Sequence, residues 1–260
     1  MTHLKYRSDN LNRLGEIREN RYGEIMKIIE YNKAIDITIE FLDTGFKRKT
    51  TYDKFKKGGV LSPFSKTIYG VGYLGNFYNY KGVSKLKSYS YWKNMIKRCY
   101  CEKSLNVNNG YRIIEVCEEW HNFENFNKWF EDNYYEVKND IMCLDKDIKD
   151  KNSFIYSPQT CIFVPSKINL LFEKTKREKS IGRNDLPLGV RWIEVDKIYG
   201  CSCRDEGKSI WLGRSQDPME LFDRYKKCKM NIIRERLCEY DDIPQYIKNI
   251  ILSYNIEPTD

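Results

Sequence analysis

The stretch that most restricts how this chain can fold runs from Gly189 to Tyr225. Gly189-Val190-Arg191-Trp192, Tyr199-Gly200-Cys201-Ser202-Cys203-Arg204 and Ile210-Trp211-Leu212-Gly213 are short pieces set apart by polar turns. They read as three strands. Asp217, Pro218 and Glu220 then supply an N-cap, a proline at the first helical position and an acid in the first turn. Leu221, Phe222, Tyr225 and Cys228 come next as the inward face of that helix. A helix can cover only one face of so small a sheet, and the other face would display arginine and tryptophan. Indoles and guanidinium groups shown together to solvent favour a flat, anionic partner, and a nucleic-acid groove is the leading candidate.

The rest of the chain changes period several times. Ile35, Ile37, Ile39 and Phe41 alternate with Asp36, Thr38 and Glu40, the signature of a half-buried strand, and Thr44-Gly45 reads as its hairpin turn. Gly58-Gly59, Gly70, Gly72 and Gly75 punctuate the next thirty residues, so Tyr22 to about Phe77 reads as a small barrel or curled sheet behind a polar helix or frayed arm over 1–20. Trp92, Met95, Ile96 and Cys99 then fall on one helical face, with a loop over Asn106 to Gly110 and a short strand over Ile113 to Cys117. Asn122 caps a second helix whose Phe123, Phe126, Phe130 and Tyr134 form a stripe suited to a core. Leu144 to Leu171 carries two short extended pieces around Asn152 and Pro158, then a helix from about Pro165. Residues 174–186 lack periodicity and read as a linker; a last helix from about Pro244 presents Ile247, Ile251 and Tyr254.

Charge sharpens the question of partners. The net charge is +8, and residues 1–87 hold 17 lysines and arginines against 9 acids, whereas the later thirds are nearly balanced. Lys47-Arg48-Lys49 and Lys54, Lys56 and Lys57 are the densest part of this excess. It suits a phosphate backbone, and equally a solvated lysine-rich surface. No apolar run approaches the roughly 18 residues of a membrane span, so no membrane partner is expected. The first residues lack the apolar stretch of a signal peptide, and the nine cysteines are an odd number. Free thiols in a reducing cytoplasm are the expectation.

These residues carry two resemblances. Gly-Val-Arg-Trp at 189–192, the strand ending in Arg204, Trp211-Leu212-Gly213 and the capped helix resemble the AP2 DNA-binding domain. The resemblance implies a sheet lying in the major groove of double-stranded DNA, with Arg191, Trp192, Arg204, Lys208 and Trp211 at the contact. Leu188 and Ser209 depart from the plant members, which carry basic residues there. In the middle of the chain, Trp92-Lys93-Asn94-Met95, Arg98-Cys99, Val116-Cys117-Glu118-Glu119-Trp120, Leu144-Asp145-Lys146-Asp147 and Tyr156-Ser157-Pro158-Gln159-Thr160-Cys161 come in an order similar to the HNH-endonuclease-like proteins of bacteriophages. Those proteins often carry an AP2 domain behind the nuclease region. The resemblance therefore implies an α+β chain acting in the cytoplasm of a bacterial host. Its parts would be a β-rich module over 1–87, an HNH-like ββα domain over 88–173, the linker over 174–186, an AP2-like domain over 187–240 and a C-terminal helix over 241–260.

HNH chemistry needs a histidine base beside a divalent metal. The only histidines are His3 and His121, and at the expected place of the base the sequence reads Cys143-Leu144-Asp145-Lys146-Asp147. In one expectation Asp145 and Asp147 hold Mg²⁺ or Mn²⁺, His121 or metal-bound water replaces the base, and the protein is an endonuclease with a degenerate site. In the other the scaffold is inert and Asp145 caps or pairs locally. The protein would then be a DNA-binding protein or a non-enzymatic one that blocks a host defence complex. Cys99, Cys117, Cys143 and Cys161 could supply four thiolates to a structural Zn²⁺, but no pair has the spacing of a zinc knuckle. Buried, reduced thiols are the expectation for them and for the pairs Cys99/Cys101 and Cys201/Cys203.

Overall fold

The computed structural model describes residues 13–172 and 186–259. The first part of the expected arm, His3 and all but the last residue of the expected linker lie outside them. The chain mixes helices with four small sheets, an α+β arrangement. The described residues form two compact units, one of 13–132 with 154–157 and the other of 133–153 with 158–172 and 186–259. Residues 88–172 contribute to both.

The first unit opens with an antiparallel meander: β1 (Ile17–Glu19), β2 (Ile25–Lys33), β3 (Asp36–Phe41) and β4 (Lys47–Thr50). Alternation in β2 and β3 sends Met26, Ile28, Ile37, Ile39 and Phe41 into a core closed by Phe55 and Val60. Phe55 comes from α1 (Tyr52–Lys56), whose N-cap Thr51 accepts from the Lys54 amide. Ile35 was expected in the strand but sits in the β2–β3 turn, 71% exposed. The solvent face of the meander is not uniformly basic. Lys27, Glu40 and Lys47 are cross-strand neighbours in one row, and Thr38 lies between Glu30 and Lys49 in the next. Opposite charges side by side are favoured in a sheet, and here they dilute the lysine excess.

Further along, α2 (Lys87–Tyr100) buries Trp92, Met95, Ile96 and Cys99, the expected stripe. A short α3 (Glu102–Val107) takes the first two residues of the expected loop, and a 3-10 turn over Asn109–Ile113 takes its last two. The strand β5 (Glu115–Val116), shorter than expected, pairs in parallel with β7 (Ile155–Tyr156). After α4 (Glu118–His121), Asn122 caps α5 (Phe123–Asn133) by accepting from the Glu124 amide. Phe123, Phe126 and Phe130 are buried as the spacing required. The Trp92 indole donates to the Trp120 carbonyl at 2.6 Å.

In the second unit, β6 (Met142–Asp145) pairs antiparallel with β8 (Ile162–Pro165), which runs into the single turn of α6 (Ser166–Asn169). Three antiparallel strands come next in the order β11-β10-β9: β9 (Val190–Ile193), β10 (Ile198–Asp205) and β11 (Lys208–Ser215). One face of this sheet is covered by α7 (Pro218–Cys238), capped by Asp217 through the Met219 amide. The last helix, α8 (Gln245–Leu252), buries Ile247 and Ile251. One apolar core joins all of this, from Ile148, Ile162, Val164 and Ile168 through Val190, Leu221 and Phe222 to Ile251 and Ile256.

Candidate nucleic-acid interface

The geometry of the β9–β11 sheet is set by which residues must face α7. Val190, Cys201 and Cys203 point inward and are buried against Leu221, Phe222 and Tyr225. Burial pushes the Cys201 thiol up to about 11 and the Cys203 thiol up to about 12, so both are inert packing groups. Their neighbours in β10, Gly200, Ser202 and Arg204, therefore face the other way. Across the ladder Gly200 pairs with Arg191 on one side and Arg214 on the other, Ser202 pairs with Trp211, and Arg204 with Ser209. Arg191, Arg204, Trp211 and Arg214 thus share one outer face. Trp211 is 47% exposed there.

Two irregularities shape that face. A β-bulge at Cys201/Ser202 places Leu212 without a partner in β11, and this brings Trp211 and Arg214 to the same side although three positions separate them. The Leu212 carbonyl is satisfied by Arg224 Nη1 from α7 at 3.1 Å. Gly200 makes room for the indole: a Cβ at that position would lie 2.5 Å from the Trp211 ring and 2.7 Å from Ile193 Cδ1. Trp211 consequently lies against the middle strand, with the Arg191 guanidinium 5.6 Å from its ring centroid. The result is an open depression of about 660 Å³ lined by Arg191, Trp192, Ile193, Glu194, Trp211 and Arg214.

Not every expected contact residue is on this face. Trp192 takes the inward pleat opposite Tyr199, whose ring it meets edge-on at 4.7 Å. Its Nε1 donates to Glu194 at 2.7 Å, so it reaches only the rim of the depression. Lys208 pairs with Asp205, and Asp205 is gripped from the helix side by Arg236 at 3.1 Å. Lys208 is therefore an exposed charge at the hairpin tip on the α7 side. Arg191, Arg204 and Trp211 do come together. Arg214, Gly200 and Ile193 join them and were missed from the sequence, because counting by twos from Trp211 fails at the bulge.

The residues expected to hold a metal are arranged otherwise. Asp145 ends β6, and its Oδ1 accepts from the amides of Asp147 at 2.8 Å and Ile148 at 2.7 Å, closing the turn. Burial raises its pKa from the ordinary 3.8 to about 6. The Asp147 carboxylate takes the ammonium of Lys146, which is buried and also donates to the Ser153 carbonyl at 2.9 Å. A fixed ammonium beside one carboxylate and a turn-closing role for the other do not fit a divalent-cation site as arranged. His121 belongs to the first unit, the aspartates to the second. Its Nε2 lies 3.0 Å from the Val116 carbonyl, which must accept, and burial lowers its pKa below the usual imidazole value. Among the described residues, no three His, Cys, Asp or Glu side chains group as metal ligands, and the cysteines are free thiols. Cys99 and Cys117 lie in the first unit, Cys143 and Cys161 in the second. No described helix is long and apolar enough to cross a membrane. Neither a protein-family model, nor a curated protein, nor a solved structure matches this chain.

Proposed function

We propose that this chain is a duplex-DNA-binding protein of the HNH/AP2 group and that it binds through the outer face of the β9–β11 sheet. One observation carries the reading: an exposed indole and three guanidinium groups share one open face. Two of those cations, Arg191 and Arg204, have no carboxylate partner among the described residues. Three strands spaced about 4.8 Å apart span roughly 10 Å, which the major groove, about 12 Å wide, admits. Ser202, short and on the middle strand, and Ser209, short and near the β10–β11 hairpin, let the backbone approach the bases. The guanidinium groups are the usual bidentate partners of guanine and of phosphate. Trp211, held against Gly200, offers a fixed apolar surface to sugar or base. The capping role of Asp145 and the Lys146–Asp147 pair support a scaffold role for the central segment, so cleavage is no part of this reading.

Fluorescence anisotropy with a labelled duplex at about 50 and 200 mM salt tests it. Binding is expected to weaken steeply with salt. Arg204→Ala should cost about 1–3 kcal/mol, and Trp211→Ala with Arg204→Ala together should abolish measurable binding. A wild-type protein that is folded yet ignores duplex DNA at low salt sinks the proposal. Incubation with supercoiled plasmid and Mg²⁺ or Mn²⁺ should leave the plasmid intact; nicking that Asp145→Ala removes would restore the endonuclease.

A further inference from the structure

The three outer-face arginines are not equivalent. Arg214 Nη1 lies 2.8 Å from Asp196 Oδ2, with both side chains substantially exposed. Asp196 belongs to the turn that joins β9 to β10, beside Lys197 in a left-handed conformation (φ 51°). The other carboxylate of that turn, Glu194, is already engaged by the Lys197 ammonium and the Trp192 indole, which hold its pKa below the usual carboxylate range. Glu194 lines the cationic depression with its carboxylate already taken, whereas Asp196, outside that lining, is the carboxylate of this turn that pairs with an outer-face arginine. Exposed ion pairs are worth little in water, so a well-placed bidentate acceptor such as a guanine edge can replace the carboxylate at small cost, whereas a loosely placed phosphate gains too little to do so. The displaced carboxylate would still repel neighbouring phosphates.

We infer that Asp196 is a specificity-determining residue: it withholds Arg214 from the phosphate backbone until a DNA site fits closely enough to displace it. The inference rests on the DNA-binding reading above. Where the fit is poor, the pair persists and one cation is subtracted from non-specific binding. Each phosphate contact contributes about 0.9 to the slope of log affinity against log salt, so the subtraction is measurable.

The test is a salt titration of binding to random-sequence duplex by wild type, Asp196→Asn, Arg214→Ala and the double variant, each checked for folding by circular dichroism. Asp196→Asn should tighten non-specific binding about fivefold at low salt and steepen the slope by about 1. Arg214→Ala alone should change it less than about twofold, and the gain should vanish in the double variant. Wild type that binds DNA while Asp196→Asn matches it in affinity and slope overturns this inference alone. So does a gain that survives without Arg214. If neither protein binds duplex at low salt, this inference and the DNA-binding reading both fall.

Discussion

Asp145 turns its carboxylate back on the chain, and its chemistry can be tested without any assumption about function. Its burial is opposed, less strongly, by the amides of Ile148 and Asp147 and by the neighbouring Lys146 charge. With a folded pKa near 6 against an ordinary 3.8, the folded protein binds the proton more tightly than the unfolded chain. Linkage then gives the sign: this group's contribution to stability is fully present below about pH 4 and is lost as the pH rises through 6. Asn at this position keeps the acceptor and removes the charge. Asp145→Asn should therefore be at least as stable as wild type at pH 7.5, by on the order of 1–2 kcal/mol, and should flatten the pH dependence. Asp145→Ala loses the acceptor and should cost about 1 kcal/mol relative to Asp145→Asn. Urea unfolding at pH 5 and 7.5 separates these outcomes. Equal destabilisation by both variants at pH 7.5 would mean that the charge itself is needed.

At the scale of elements, the legible part of the sequence was whatever obeys one period over several residues. The stripe of α2, the capped and phenylalanine-lined α5, and the Asp217–Pro218 start of α7 appear where spacing put them. The two-residue strands β5 and β7 are too short to show a period, and their pairing is decided by tertiary contact. The candidate interface was half legible. Trp192 is a surface residue as expected, 41% exposed, but it shares the parity of Val190 and so leaves from the α7 side of the sheet, and the bulge at Leu212 hid Arg214. The entry into β9 makes a prediction of its own. Gly189 has φ +80°, and a Cβ there would lie 2.2 Å from the Tyr225 ring. A left-handed non-glycine residue and an overpacked strand–helix contact should together make Gly189→Ala about 2–4 kcal/mol less stable. Chemical denaturation measures it, and a loss under about 0.5 kcal/mol would show that β9 shifts freely on α7.

For the molecule as a whole, the apolar core of the second unit decides what can be cut away. The segment over 187–240 contains the sheet and α7, the parts that resemble a self-contained DNA-binding module. Its core nevertheless continues outside that segment into Ile148, Ile162, Val164 and Ile168 on one side, and into Ile243, Ile247, Ile251 and Ile256 on the other. The C-terminal tail is tied in by the backbone as well, since the Leu188 amide donates to the Pro258 carbonyl at 2.9 Å. Each such side chain is worth about 1.5–3 kcal/mol when fully buried. Losing eight removes about 12–24 kcal/mol, which matches or exceeds the roughly 5–15 kcal/mol by which a domain is usually stable. A fragment of residues 187–240 should therefore lack a cooperative urea transition and expose apolar surface to a hydrophobic dye, whereas residues 133–260 should unfold cooperatively. A sharp transition in the short fragment, at the midpoint of the long one, would show that the flanking isoleucines add nothing to the sheet and helix. If the short fragment fails as expected, its failure to bind DNA says nothing about the outer face, and binding has to be measured on the full chain.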